Sequence, residues 1–215
     1  MPNSILIPID FSAHSRTALV YGQVLARQFG ATLYLFHAVC FPRNMIYGTA
    51  DTVRGPDQNR LIRRAREKME QLMEGSPVDW RPVVNFGNPV EAAKRRADEL
   101  NAGLIITASH GHGVLSRILS GTVVEQFARN TQRPLLVILP RKAGKTAGAP
   151  TPEKEGFFPE FNGFKRIVVG CDFEKGSAET LRFACRFARR SCAECHLVHF
   201  LESPMDETLM ETTRG

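Results

Sequence analysis

The chain has 215 residues, 43% of them hydrophobic, and a formal net charge of +6. This length suits one domain of ordinary size and part of another, and the composition is typical of a soluble globular protein. No apolar run approaches the ~20 residues that a membrane-spanning helix needs, so we expect no membrane association. Five cysteines, an odd number, argue against a disulfide framework. The first residues lack a basic region and carry Asp10 within their apolar part, so we expect a cytoplasmic protein.

The first forty residues predict a strand, a helix and a second strand. ILIPI (5–9) is short, apolar and rich in β-branched residues, as is typical of a strand buried on both faces. The next segment has helical periodicity, with Ser12 or Ser15 as its N-terminal cap and Gly30 as its end. TLYLFHAV (32–39) predicts the second strand.

The same two periodicities continue to residue 140. In chain order they predict a helix over 57–75, a strand over 80–86, a helix over 90–103, a strand over 104–108, a helix over 122–132 and a strand over 134–139. Asp57 is the expected cap of the first of these helices. Strands that alternate with helices predict an α/β fold, here a five-stranded, mostly parallel, doubly wound sheet of Rossmann-like type.

Ligands bind such sheets beyond the carboxyl ends of the strands, at the point where the strand order reverses. Asp10 and the segment 108–113 follow the first and fourth predicted strands. If these two strands are neighbours in the sheet, their ends form the binding crevice.

The stretch ASHGHGVLSRILSGT (108–122) has the composition of a phosphate-binding loop. Gly111 lets the backbone approach a ligand closely, and Gly121 and Thr122 begin a helix whose free N–H groups attract anions. Asp10 is suited to accept hydrogen bonds from ribose hydroxyls. A simple strand-to-helix connection needs only about two to six residues, so this longer loop favours a mononucleotide site.

Residues 141–163 have no periodicity and many Gly, Pro, Lys and Glu residues, which predicts a linker. After it, the sequence of 5–42 recurs without a gap over 167–204. The recurring identities are Ile5, Asp10, Phe11, Ser15, Leu19, Ala26, Arg27, Ala31, Leu35, His37 and Pro42. We therefore expect domains over 1–140 and 164–215, the second being an incomplete β-α-β repeat that stops after its second strand.

Cys192, Cys195, His196 and His199 have a spacing that suggests zinc. The repeat alignment places both histidines on a strand, where a three-residue separation directs side chains to opposite faces. Ordinary strand and helix-end residues are therefore favoured over a metal site. The basic runs 59–68 and 93–99 likewise favour solvated helix faces over a polyanion-binding surface, so we expect no specific nucleic-acid binding.

The chain resembles the universal stress protein family over 3–140 and again over 165–204. Family members that bind ATP carry Gly, two residues, Gly, nine residues, Gly, then Ser or Thr; here these positions are Ala108, Gly111, Gly121 and Thr122. Four further segments resemble the sequences of the family, namely ILIPIDFS, LFHAV, GNPVE and RPLLVIL. The resemblance implies a fold like that of the adenine nucleotide alpha hydrolases and binding of ATP with Mg²⁺.

The resemblance also implies which residues surround the nucleotide. Besides Asp10 and the loop residues, the crevice and adenine contacts would come from Pro8, Ile9, Ala38, Val39 and Thr107, and the phosphate side from Val123 and Val124. In the family the fifth strand commonly forms a dimer edge, so we expect a homodimer through 135–139. The second repeat keeps Asp172 but has no phosphate loop, so no site is expected there.

Ala108 departs from the family pattern, because it stands where the first motif glycine is expected. Alanine disfavours a positive φ, whereas at a negative φ its methyl group would only crowd the ligand slightly. The alternative function is accordingly a nucleotide-free dimerisation or interaction module. No nucleophile or general base is evident beyond the loop, so at most slow ATP hydrolysis is expected.

Overall fold

The computed structural model describes residues 2–39, 56–108, 123–139, 161–174 and 176–199. It forms two compact units, Met1–Gly163 and Phe164–Gly215. The first unit contains, in chain order, β1 (Ser4–Pro8), α1 (Ala13–Phe29), β2 (Thr32–Val39), α2 (Pro56–Met73), β3 (Trp80–Phe86), α3 (Pro89–Glu99), β4 (Leu104–Ala108), α4 (Val123–Asn130) and β5 (Leu135–Ile138). Most of the predicted linker, 141–160, lies outside the described residues.

The first unit is built on a five-stranded sheet in the order β3-β2-β1-β4-β5, with every pair of neighbours parallel. This confirms the predicted α/β class. Strand β1 lies at the centre, and Ile5, Leu6 and Ile7 are fully buried, as expected for a strand with helices on both faces. The chain runs outward from β1 to β2 and β3, and then crosses to β4 and β5. The strand order therefore reverses between β1 and β4.

Helix α1 begins and ends where its sequence provides caps. The Ser12 hydroxyl accepts a hydrogen bond from the Ser15 amide at 3.3 Å, so Ser12 is the cap and Ser15 is its partner. Gly30 ends the helix in the left-handed conformation, at φ 63°. The helix lies so close to β1 that a side chain on Gly22 would overlap the δ-methyl group of Ile7.

Several predicted helix boundaries differ from the observed ones by one to four residues, and two of the differences have a clear local reason. Helix α2 begins at Pro56, before the expected cap Asp57, because proline fits the first turn, where its missing N–H costs nothing. Helix α3 ends at Glu99 rather than at 103, since Asn101 turns into the left-handed region at φ 49°. At its start, Asn88 caps α3 by accepting from the amides of Val90 and Glu91.

On the face of the sheet that α1 does not cover lie α3 and α4. Its buried cluster joins the three central strands to these helices and consists mainly of small residues around two aromatic rings, with Leu6, Phe36, Val90, Ala92, Ala93, Ala97, Ala102, Ile105 and Phe127 as members. The alanines let α3 approach the sheet closely. None of the helices in the described part of the chain is long and apolar enough to cross a membrane.

The second unit contains β6 (Arg166–Gly170), α5 (Ser177–Ser191) and β7 (Glu194–Val198), and its two strands pair in parallel. Its backbone matches the corresponding part of the first unit at unusual positions. Phe11 and Phe173 both have positive φ, 66° and 61°. The residues that end α1 and α5, Gly30 and Cys192, are both left-handed, at 63° and 52°.

Because α1 lies so close to β1, we expect any side chain larger than hydrogen at position 22 to destabilise the folded protein strongly. Gly22→Val should lower the free energy of unfolding by about 2 kcal/mol or more, because the added carbons must displace Ile7 and Leu33, which are both fully buried. Arg27→Val, at an exposed position of the same helix, should cost no more than about 0.7 kcal/mol, the difference in helix propensity. Urea unfolding measures both, and equal losses would contradict the close packing.

Candidate functional site

The carboxyl ends of β1 and β4 open side by side at one edge of the sheet. The strands are parallel neighbours, with Ile5 opposite Leu104 and Leu6 opposite Ile105. The crevice predicted from the sequence requires that β1 and β4 be neighbours, as they are in the structure. A crevice at such a reversal of strand order is where open α/β sheets bind ligands.

Asp10 lies at the mouth of this crevice, immediately beyond β1. Its Oδ1 accepts a hydrogen bond from the Ser12 amide at 3.0 Å. Partial burial alone would raise the pKa of Asp10, but hydrogen bonds from the side chains of Ser12 and Ser15 and from the Ser12 amide outweigh it and hold the pKa below its ordinary value. The carboxylate is therefore charged at neutral pH, and it is exposed to solvent.

A tight corner fixes the chain that leaves β1. Phe11 takes a positive φ, and its ring lies 4.8 Å from the His37 ring, measured between centroids. The Nδ1–H of His37 donates to the Ile9 carbonyl over 2.7 Å, and the Ile9 amide donates to the Phe36 carbonyl over the same distance. These contacts join the ends of β1 and β2, so Asp10 stands on a rigid support.

Lys68 brings a positive charge to this corner. Its Nζ lies 5.1 Å from the centroid of the Phe11 ring, within range of a cation–π interaction. The sequence alone assigns no role to Phe11, His37 or Lys68. A signal for the first two was present, since both recur in the second copy, whereas nothing in the sequence relates Lys68 to β1.

The residues expected on the adenine side lie at the ends of β1 and β2. Pro8 ends β1, and Ile9, just beyond it, is buried. Ala38 and Val39 end β2 and are partly exposed. The Val39 carbonyl accepts from the Gly87 amide at 3.2 Å, which ties this strand end to the turn after β3.

Ala108 is the last residue of β4 and pairs with Ile138 of β5. It is partly exposed, whereas its neighbour Thr107 is buried, with 7% of its surface accessible. Among the described residues, the non-glycine positions with positive φ are Phe11, Asn101, Phe173 and Cys192, so Ala108 has ordinary strand geometry. Glycine is thus not required here by the backbone, and the substitution adds only one methyl group.

The phosphate side is described only from the start of α4. Gly111, Gly121 and Thr122 lie outside the described residues. Val123 begins α4, and the Val124 side chain is buried, so only the Val124 backbone is available to a ligand. Glu125 in this first turn is buried and paired with Arg129 at 2.8 Å.

The second unit repeats the corner around Asp172. The Ser177 hydroxyl donates to its carboxylate, the Glu174 amide donates at 3.0 Å, and these hydrogen bonds hold the pKa of Asp172 below its ordinary value. His199 Nδ1–H donates to the Cys171 carbonyl over 2.6 Å. An open depression of about 540 Å³ lies beside these residues, beyond the ends of β6 and β7.

The residues considered for zinc do not converge in the structure. His199 is hydrogen-bonded to the Cys171 carbonyl, and His196 lies 3.4 Å from a Glu194 carboxylate oxygen. Within the described ranges, no three His, Cys, Asp or Glu side chains are grouped closely enough to hold a metal ion.

Comparison with known proteins agrees with this geometry. The family described as the Universal stress protein family matches residues 1–138. The Universal stress protein MJ0577 of Methanocaldococcus jannaschii is 25% identical over 154 residues, which cover 64% of this chain and 95% of that protein. The solved structure of MJ0577 has 26% identity and a TM-score of 0.51, over 66% of this chain and 98% of that chain.

Two further solved structures differ in how much of the chain they match. A universal stress protein from Archaeoglobus fulgidus DSM 4304 has a TM-score of 0.66 over 98% of this chain and 70% of its own; at 16% identity, it shows the fold alone. A universal stress protein in complex with cAMP has 21% identity over 64% of this chain and 97% of its own. Its TM-score of 0.48 is too low for its ligand to bear on this chain.

The lowered pKa of Asp10 predicts a pH-dependent contribution to stability. A carboxyl group with a depressed pKa stabilises the folded state above its unfolded pKa of about 3.9, and loses this contribution as the pH falls through the folded value. Asp10→Asn should therefore be less stable than the parent at pH 7, and the difference should shrink below about pH 4. Urea unfolding at several pH values measures this, and a gap that widens towards acid would contradict the hydrogen-bonded arrangement.

Proposed function

The chain belongs to the universal stress protein family, and on that premise we propose that its first unit binds ATP at the carboxyl ends of β1, β2 and β4 as a regulatory module of a stress response. One observation carries the proposal: a charged, exposed carboxylate, Asp10, is held rigidly at the reversal of strand order between β1 and β4. In other nucleotide-binding α/β folds an acidic residue near this place accepts hydrogen bonds from the ribose.

The proposed pose follows the sheet edge. The ribose hydroxyls meet Asp10, and the adenine lies against Ile9, Ala38, Val39 and Thr107. The phosphates extend to Gly111, Gly121 and Thr122 and to the backbone at Val123 and Val124, where the start of α4 provides unpaired N–H groups. The ammonium group of Lys68 adds a positive field near this edge, which favours an anionic ligand.

The strand geometry at Ala108 supports ATP binding over the nucleotide-free alternative. A glycine needed for a positive φ would make the alanine disruptive, but Ala108 has ordinary strand geometry and pairs regularly with β5. The remaining effect is one additional methyl group at the edge of the crevice. We therefore expect Ala108→Gly to tighten ATP binding by only a few fold.

The proposed role is regulation rather than catalysis. Mg²⁺ would arrive with the nucleotide and be held by the phosphate oxygens. The described residues around Asp10 include no nucleophile activated by a neighbouring base, so slow hydrolysis is the most that we expect. We propose the cytoplasm as the setting; four of the cysteines are free thiols, as is usual in a reducing compartment.

Asp10→Asn should weaken ATP binding about tenfold or more, because it removes charge-assisted hydrogen bonds to the ribose. The matched control is Asp79→Asn, which changes an aspartate at the opposite edge of the sheet, where Asp79 accepts from the Thr32 hydroxyl at 2.8 Å. Titration calorimetry with ATP and Mg²⁺ measures both variants. Equal affinities in the two variants would place the sugar elsewhere.

Gly121→Val should abolish ATP binding while leaving the circular dichroism spectrum unchanged, because a branched side chain would fill the proposed phosphate position. Protein purified without added nucleotide and then denatured should also release adenine nucleotide. If the parent chain and Ala108→Gly both fail to bind ATP and release no nucleotide, the interaction-module alternative replaces this proposal.

The edge strand β5 is the proposed dimer contact. Among the described residues no strand pairs with its outer side, and Leu139, just beyond it, has 51% of its surface exposed. Leu139→Lys should weaken a homodimer at least tenfold, whereas Leu61→Lys, which alters a leucine with 38% exposure on α2, should have no effect. Sedimentation at micromolar concentration measures the change, and a monomeric parent chain would overturn the dimer proposal.

A further inference from the structure

A charged donor in the first unit is buried without an acceptor. The Nε–H group of Arg16, on α1, is shielded from solvent and donates to no acceptor in the described part of the chain. The backbone amide of the same residue is paired normally, with the Ser12 carbonyl at 3.0 Å, and the Asp10 carboxylate at the preceding corner bonds to the Ser12 amide instead. Folded proteins keep few buried polar groups unpaired, because each has lost its hydration without compensation. A bound anion would supply the acceptor.

Arg16 lies on the flank of α1 that faces α2. Residues seven apart share a face of a helix, so Arg16 and Gln23 point the same way, about 10 Å apart along the axis. The Gln23 amide donates to Met73 Sδ at 3.4 Å and to Ser76 Oγ at 3.2 Å, at the end of α2. Both helices run antiparallel to the strands, because each connects two parallel neighbours. Arg16 therefore lies beside the part of α2 that is seven residues before these contacts, at 66–69.

Lys68 lies within this part of α2 and brings a second positive charge. Its Nζ is 5.1 Å from the centroid of the Phe11 ring, at the corner from which α1 starts, so the side chain reaches towards α1. Lys68 is exposed to solvent and Arg16 is partly exposed. Among the described residues, neither cation has a carboxylate within ion-pair distance. These residues define the α1–α2 groove, with Arg16 and Lys68 on its two sides and Phe11 at its end.

The two cations of the α1–α2 groove need a negative partner more than a neutral one. Like charges that face each other repel, and exposed lysines ordinarily extend into solvent, where their charge is screened. A bridging water would accept from the Arg16 Nε–H but would leave both charges unbalanced. A tetrahedral dianion would accept from the guanidinium and the ammonium together, which is how proteins commonly hold phosphate.

We propose that the α1–α2 groove binds a phosphate group, either as inorganic phosphate or as the phosphomonoester end of a small molecule. The Arg16 guanidinium and the Lys68 ammonium donate to its oxygens, and the Phe11 ring closes one end. The groove is separate from the proposed position of the ATP phosphates, because α1 and α2 follow β1 and β2 whereas those phosphates lie beyond β4. The inference therefore does not rest on ATP binding.

Titration calorimetry of the full chain with inorganic phosphate, at low ionic strength and without nucleotide, tests this site. Arg16→Gln should weaken phosphate binding at least tenfold, and Lys68→Gln at least fivefold, because each removes a charged donor. Arg27→Gln is the matched control, since it removes an exposed arginine from the same flank of α1, and it should bind like the parent chain. Glycerol 3-phosphate identifies the source of the group: tighter binding than inorganic phosphate indicates a phosphomonoester, and weaker binding indicates the free ion.

Thermal unfolding gives an independent measurement. In phosphate-free buffer Arg16→Gln should be no less stable than the parent chain, because it removes an unpaired buried donor and glutamine has a similar helix propensity. Added phosphate should raise the melting temperature of the parent chain and of Arg27→Gln, but not that of Arg16→Gln. Failure of the parent chain to bind phosphate, equal affinities in the parent chain and Arg16→Gln, or a loss of stability in phosphate-free Arg16→Gln would each overturn the proposal.

Discussion

The burial of β1 on both faces is the constraint from which the rest of the first unit follows. Ile5, Leu6 and Ile7 have no contact with solvent, so helices must cover both sides of the central strand. Right-handed connections can place helices on both faces only if the chain leaves the centre of the sheet in both directions. The reversal of strand order between β1 and β4 is the consequence, and it opens the crevice in which we place the ligand.

The corner after β1 places the carboxylate of Asp10 at this crevice. Hydrogen bonds from Ser12 and Ser15 lower the pKa of Asp10, and Ser12 also caps α1. The carboxylate is thus attached to the rigid start of a helix, while the contact between Phe11 and His37 fixes the adjoining strand ends. The same local frame recurs around Asp172, which shows that these contacts belong to the β-α-β unit and do not depend on the rest of the sheet.

Equivalent positions of the β-α-β unit differ in solvent exposure between the first and second units. Leu6 is fully buried beneath α3 and α4, whereas its counterpart Val168 has 68% of its surface exposed, because the described residues of the second unit form only two strands and one helix. Positions that serve as core in one copy are therefore open to solvent in the other.

The order and type of the elements, and the position of Asp10 after β1, follow from the sequence alone, because each depends on neighbours a few residues away. Hydrophobic periodicity selects a helix or a strand, and Gly30 ends α1 through its own backbone freedom. The sequence did not decide whether Ser12 or Ser15 is the cap, nor that α2 begins at Pro56, since each helix start offers more than one residue suited to the first turn. It was the tertiary structure that brought β4 beside β1, gave Ala108 ordinary strand geometry and placed Lys68 over Phe11. These contacts depend on how whole elements pack, and packing is set by the total buried surface rather than by any local pattern.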